Sequence, residues 1–201
     1  MPSHERQQRP QAVFTRSVWR EGSGTGMKSC ACFSCGGEFP DIEWPVHRYM
    51  KSAPGCWAVY GEVLAREYSN PDYSEIHRLT VDAYAVQHPG YRDRQSIHSV
   101  GVHLIRLCLF LEHGLTAEDA NDVMLEAGKN KHTFTWLAPP RSLGNITAAD
   151  VAKATSVAEH KELVRAWAQS AWDAWAIHQH TIRLWLPATR AVTVDAGKVA
   201  R

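Results

Sequence analysis

Hydrophobic residues recur with a helical period of about 3.6 residues over most of the chain, and local start and stop signals divide this pattern into segments. Proline and capping residues mark the starts, whereas Pro89-Gly90, Gly114 and Pro187 mark stops. The sequence therefore predicts an all-α fold, a helical bundle of five or six helices. The predicted helices cover 56–68, about 69–88, about 93–113, 116–128, a short segment capped by Thr147, and one long segment over about 157–186.

The segment from Cys30 to Gly55 lacks a helical period and contains a C-x2-C pair, Cys32 and Cys35, followed by two glycines. This is the pattern of a zinc knuckle, in which two thiolates bind one ion and the glycines allow a tight turn. His47 and Cys56 supply the two further ligands that a tetrahedral site needs. Cys30 is the alternative to Cys32.

The simpler interpretation is a loop that carries unlinked thiols. A metal is favoured because some 25 residues without periodicity are hard to order inside a compact domain. We therefore predict one structural zinc held by Cys32, Cys35, His47 and Cys56. Four protein ligands leave no open coordination position, so this ion is predicted to be scaffold rather than catalyst.

Polar residues also lie on helical faces that are otherwise apolar. His103 and Arg106 share one stripe of the third helix, and His178 lies on the tryptophan-bearing face of the last one. Since buried ionisable groups concentrate at functional sites, we predict that these three residues face a common pocket and act in catalysis. The predicted substrate-binding neighbours are His77, Asp82, Tyr84, His88 and Trp175.

Two kinds of chemistry fit such a pocket. Histidines with a carboxylate suit a second, transition metal with an open position, and the same groups suit metal-free acid–base work on an anion held by Arg106. The structural alternative is a buried polar network that only holds helices together. The spacing of the residues does not choose between these interpretations.

Charge and the chain ends restrict the function further. The 201 residues carry a formal net charge of +1, which argues against nucleic acid as a partner. No apolar run reaches the roughly 18 residues of a membrane-spanning helix, and the start has no secretory signal. We interpret residues 1–26 as a disordered leader, with Met1 or Met27 as the start, and 188–201 as a flexible tail. A cytoplasmic location, with reduced cysteines, follows from these features.

Several motifs together resemble an uncharacterised family of small bacterial proteins, a domain of unknown function. They are the CxxCGG pair and the segments HRYMKSAPGCWAVYGEVLAREYS, HRLTVDAYAVQHPG and SVGVHLIRLCLFLEHGL. The resemblance extends from about Met27 to Leu186. It implies a bacterial, cytoplasmic protein, and it carries no activity with it.

We therefore predict a zinc-knuckle module over 27–56 followed by a helical domain over 57–187. The predicted function is that of a small metal- or histidine-dependent enzyme that acts on a polar or anionic small molecule. The alternative is a non-catalytic zinc-containing module that binds a protein partner or has a regulatory role. The position of the histidine and arginine side chains relative to a cavity distinguishes the two.

Overall fold

A computed structural model of the protein describes residues 28–187. The predicted leader, the alternative start at Met27 and the predicted tail lie outside the described residues. Within them the predicted helical fold is confirmed, with two short strands at the N-terminal side. The elements are β1 (Ser29–Ala31), β2 (Glu38–Pro40), α1 (Pro54–Tyr68), α2 (His77–Gln87), α3 (Arg94–Leu111), α4 (Ala117–Lys129), α5 (Ala148–Ala152), α6 (Val157–Ala174) and α7 (Gln179–Leu184).

The strands β1 and β2 form an antiparallel hairpin in the segment for which the sequence predicts no helix. Cys30 pairs with Phe39 across the two strands. Gly36, in the turn between them, has a φ of 74°, a conformation that favours glycine. Phe39 is fully buried and belongs to the same hydrophobic core as the helices. The division into a module over 27–56 and a domain over 57–187 stays a prediction.

Most helices begin at the residues that the sequence marks. Pro54 occupies the first turn of α1, and the side chains of Asp93 and Thr116 accept hydrogen bonds from the first turns of α3 and α4. Thr147 and Asp150 form a capping box at α5. These local signals act without help from tertiary packing, which is why the sequence reveals them.

The prediction of one long helix over 157–186 is wrong. The chain leaves the α-helix at Trp175, passes through a 3-10 turn over Ala176–His178, and continues as α7. The Trp175 ring is fully buried, and its Nε1 donates a hydrogen bond to the carbonyl of Val86 at 3.2 Å. Tertiary packing of this ring fixes the break, and a straight-helix projection of His178 is therefore wrong as well.

Helix α2 lies at the centre of the core. Every residue from Asp82 to Pro89 is buried, and α2 packs against both α3 and α6. Its buried polar groups need partners. Gln87 donates to two main-chain carbonyls and accepts a hydrogen bond from the indole of Trp167 at 2.8 Å. No helix among the described residues is long and apolar enough to span a membrane.

Candidate metal centre

Four metal-binding side chains meet where the hairpin contacts the helices. Cys32 and Cys35 come from the turn of the hairpin, Cys56 from the first turn of α1, and His88 from the C-terminal end of α2. Their ligand atoms all lie within 4.8 Å of one another. All four residues are buried, with exposed fractions of 1%, 7%, 0% and 1%. We call them the Cys3His cluster.

The separations between the ligand atoms fit a tetrahedral ion. Cys35 Sγ lies 3.9 Å from Cys56 Sγ, and His88 Nε2 lies 3.4 Å from Cys56 Sγ and 3.7 Å from Cys32 Sγ. An ion with metal–sulfur bonds of about 2.3 Å and a metal–nitrogen bond of about 2.0 Å holds two sulfurs about 3.8 Å apart and a sulfur and a nitrogen about 3.5 Å apart. These three separations are therefore compatible with metal binding by the cluster.

Local backbone geometry brings the three cysteines together. The amide of Gly36 donates to the carbonyl of Cys32 at 2.8 Å, which closes the turn of the hairpin. At Gly55 a Cβ atom would lie 2.0 Å from the carbonyl oxygen of Pro40. Only glycine permits the start of α1 to approach strand β2 this closely, and that approach places Cys56 beside the turn.

The orientation of His88 suits it to bind a metal through Nε2. Its Nδ1–H donates to the main-chain carbonyl of Tyr84 at 2.7 Å, so the neutral ring has its lone pair on Nε2, the atom that faces the sulfurs. The ring also stacks on Tyr84, with ring centroids 4.0 Å apart. A hydrogen bond from the non-ligating nitrogen is the usual outer support of a metal-bound histidine.

The three thiols influence one another's protonation. Hydrogen bonds from Cys35 and Cys56 lower the pKa of Cys32, so its sulfur takes the negative charge. The shared hydrogen bond with Cys32 raises the pKa of Cys35 to about 12, and burial raises the pKa of Cys56 further. A metal ion bound by all three sulfurs must displace the protons that the thiols still carry.

The structure brings three of the four predicted zinc ligands together, with His88 as the fourth member where the sequence suggests His47. The ring of His47 instead packs against Tyr49 and Trp57, at centroid distances of 4.3 and 5.1 Å. Burial lowers the pKa of His47. Cys30, the alternative to Cys32, lies on β1 outside the cluster.

The predicted pocket residues divide between a buried network and the surface. Asp82 is fully buried. Its carboxylate makes a hydrogen bond with His103 Nδ1 at 2.7 Å and an ion pair with Arg106, whose Nε lies 3.3 Å away without hydrogen-bond geometry. His178 is half-buried in the turn after α6, where its Nε2 lies 2.8 Å from the carbonyl oxygen of Ala138. The structure thus joins His103 and Arg106 through Asp82, whereas His178 has a different hydrogen-bond partner.

A second buried carboxylate binds another of the predicted residues. Glu67 lies 2.7 Å from His77 Nδ1 and 2.9 Å from His160 Nε2, and it accepts a hydrogen bond from Thr80. Tyr84 contacts Cys56, with its hydroxyl 3.6 Å from the sulfur. In this structure His77 therefore belongs to the Glu67 network, whereas Tyr84 contacts the Cys3His cluster.

One cleft of about 340 Å³ lies next to the Cys3His cluster. Its walls are the turn of the hairpin, residues 35–38, and the segment around α5, from Gly144 to Lys153. His103, Arg106 and His178 do not line it. The histidine–arginine pocket expected of an enzyme therefore does not coincide with this cleft.

Sequence reasoning missed the position of His88 beside the three cysteines and the whole Glu67–His160 pair. His88 follows Cys56 by 32 positions and belongs to another helix, so no local spacing links them. The one available signal was its place directly before Pro89-Gly90, which fixes it at a helix end. Glu67 and His160 lie 93 positions apart, and only tertiary packing joins them.

The fold and the site thus define a helical protein with a Cys3His cluster that is compatible with metal binding. The chain belongs to DUF5946, a family of unknown function whose model matches residues 30–176. That range includes all four residues of the cluster. Comparisons with curated proteins and with solved structures gave no match.

Proposed function

We propose that the protein is a zinc-binding protein in which the Cys3His cluster holds one structural zinc ion. The observation that carries the proposal is the meeting of three sulfurs and one imidazole nitrogen, all within 4.8 Å of one another, with three of the separations at 3.4 to 3.9 Å. Soft thiolate ligands with one imidazole favour zinc over magnesium or calcium, which prefer oxygen.

The proposed role of the ion is to fasten the hairpin to the helices. A two-stranded hairpin with strands of three residues is at best marginally stable alone. The four ligands come from the hairpin, α1 and α2, so one ion links three parts of the chain that are distant in sequence. Because four protein ligands complete a tetrahedral site, no coordination position is left open, and catalysis by this zinc is not expected.

The proposal includes a reducing compartment, such as the bacterial cytoplasm. All five cysteines are free thiols, although the sulfurs of Cys35 and Cys56 lie only 3.9 Å apart. A metal site needs those thiols reduced. Four protein ligands leave no open position on the ion, and His103, Arg106 and His178 do not line the cleft beside it. We therefore favour a non-catalytic, zinc-stabilised helical module over an enzyme.

Metal analysis of the full chain, purified without chelator, tests the proposal. We expect Cys56→Ser to lose one equivalent of zinc relative to the wild type, because Cys56 contacts both Cys35 and His88. The matched control is Cys30→Ser, which removes a thiol outside the cluster and should leave the zinc content unchanged. Equal zinc in all three proteins would overturn the assignment.

A second candidate function is the binding of a small oxyanion by His103 and Arg106, as in the enzyme hypothesis. One observation favours it. Arg106 is 5% exposed, and its buried Nη2 has no hydrogen-bond partner among the described residues. A free guanidinium nitrogen suits a phosphate or carboxylate oxygen. Titration with inorganic phosphate, followed by the NMR signals of His103, should give a saturable shift that Arg106→Lys weakens. The absence of a saturable shift would remove this candidate.

A further inference from the structure

A second group of metal-binding side chains lies at the C-terminal end of α3, apart from the Cys3His cluster. It comprises Cys108 in the last turns of the helix, Glu112 at its C-cap, and the next residue, His113. The sulfur, a carboxylate oxygen and an imidazole nitrogen all lie within 4.8 Å of one another. Cys108 Sγ lies 3.5 Å from Glu112 Oε2. We call these three residues the Cys108 cluster.

An ordinary hydrogen-bond network explains only part of this arrangement. The Cys108 thiol donates to Glu112, and Arg183 from α7 donates to both oxygens of the same carboxylate, at 2.8 and 2.6 Å. His113 stays unexplained, because its Nδ1 is buried and has no hydrogen-bond partner among the described residues. An unpaired buried nitrogen is costly, and a metal ion bound at that atom would satisfy it.

We propose that Cys108, Glu112 and His113 form a second binding site for a divalent ion of the zinc class. One thiolate, one imidazole and one carboxylate match the ligand preferences of zinc. The thiolate and the carboxylate balance the two charges of the ion. Arg183 keeps its hydrogen bonds to the carboxylate, as outer partners of metal-bound carboxylates do.

This site differs from the Cys3His cluster in its accessibility. Three protein ligands leave a fourth position of a tetrahedral ion for water or for a ligand. Cys108 is fully buried, whereas a quarter of the Glu112 side chain is exposed, so solvent reaches the edge of the cluster. The Cys108 cluster therefore has the ligand number of a reactive or ligand-binding metal site, which the closed Cys3His cluster lacks.

Formation of the site requires loss of one proton. Burial, with the neighbouring charge of Glu112, raises the pKa of the Cys108 thiol to about 12. Arg183 holds the pKa of Glu112 below its usual value, so the carboxylate is already ionised. The ion therefore exchanges for the thiol proton alone, and no electron transfer is involved.

Metal stoichiometry of the full chain tests this proposal separately from the structural zinc. After removal of bound metal and titration with Zn²⁺, we expect two tight equivalents in the wild type and one in Cys108→Ser. His113→Gln provides a second route to the same result without a change in the buried core. The matched control is Cys30→Ser, which should keep two equivalents.

Titration with Co²⁺ identifies the ligands. The wild type should bind cobalt through four thiolates, three in the Cys3His cluster and one at Cys108. Its sulfur-to-cobalt absorption should therefore fall by about a quarter in Cys108→Ser. A wild type that binds one equivalent only would overturn the proposal, and so would unchanged stoichiometry in both Cys108→Ser and His113→Gln. A variant such as Cys56→Ser that loses the zinc of the Cys3His cluster but keeps one equivalent would support the second site.

Discussion

His88 and Tyr84 lie one helical turn apart, and the Nδ1–H of His88 donates to the main-chain carbonyl of Tyr84 at 2.7 Å. This bond leaves Nε2 as the atom that faces the sulfur of Cys56, at 3.4 Å. The end of the central helix thus presents an imidazole in the tautomer that binds metals. The proposed zinc site depends on this orientation.

Removal of the metal should loosen the hairpin more than the helices. If zinc is present at about a thousand times its dissociation constant, it adds about 4 kcal/mol to the free energy of unfolding. For a chain of this size, that corresponds to a fall in Tm of about 10 °C on chelation. Hydrogen exchange should rise first in residues 28–56. Uniform loss of protection across α3 and α6 would contradict a local role of the ion.

Zinc affinity should depend steeply on pH. Because the pKa values of Cys35 and Cys56 are raised, zinc displaces at least their two protons at neutral pH, whereas the pKa of Cys32 is lowered. Affinity should therefore fall at least about 100-fold for each unit by which the pH is lowered. Competition with a chelator at several pH values, in the Cys108→Ser background, measures the slope. A slope near zero would show that the thiols are not the ligands.

Gly55→Ala should destabilise the protein because the new Cβ would lie 2.0 Å from a main-chain oxygen of Pro40. We expect a loss of about 1–3 kcal/mol in the free energy of unfolding, with weaker zinc binding. Gly128→Ala in α4 is the matched control, since its Cβ would meet no atom within 4 Å. That variant should gain up to about 1 kcal/mol. Equal denaturant midpoints for Gly55→Ala and the wild type would refute the close approach of α1 to strand β2.

Glu67→Gln should make the protein less stable at neutral pH and less sensitive to acid. Burial tends to raise the pKa of Glu67, but hydrogen bonds from His160, His77 and Thr80 outweigh it, and the net pKa is lowered. The ionised carboxylate thus contributes stability above its ordinary pKa, and this contribution is lost as the pH falls through the lowered value. Loss of the buried charged partner should cost about 3 kcal/mol at pH 7.

Urea unfolding between pH 7 and pH 3 checks this prediction. The wild type should lose stability more steeply than Glu67→Gln as the pH falls below about 4.5, the ordinary range of a glutamate. The control is Glu126→Gln, which removes an exposed carboxylate paired with Lys129 on α4. Parallel pH profiles for the wild type and Glu67→Gln would refute a stabilising role of the ionised carboxylate.

The sequence predicts those features of the fold that depend on neighbouring residues. Pro54, Asp93, Thr116 and Thr147 act within one helical turn, and the helices that they start are found. The end of α6 depends instead on the burial of Trp175 against Val86, a contact between residues 89 positions apart. No local pattern contains that information, so the sequence predicts one continuous helix.

The same distinction applies to the candidate metal centre. The pair Cys32 and Cys35, with the glycine turn, is a local signal, and Cys56 follows within the same irregular segment. His47 is a ligand candidate because it is close in sequence, whereas His88 is close in space because α2 crosses the core and ends beside the hairpin. Distance along the chain is therefore a poor guide to the fourth member of the cluster.

The most direct test of the structural zinc compares His88→Ala with His47→Ala in the full chain. Both variants remove one imidazole, and the two rings differ in whether they face the sulfurs. Zinc content after purification without chelator should fall by one equivalent in His88→Ala and should equal that of the wild type in His47→Ala. Loss of zinc from His47→Ala, with full retention in His88→Ala, would contradict the account.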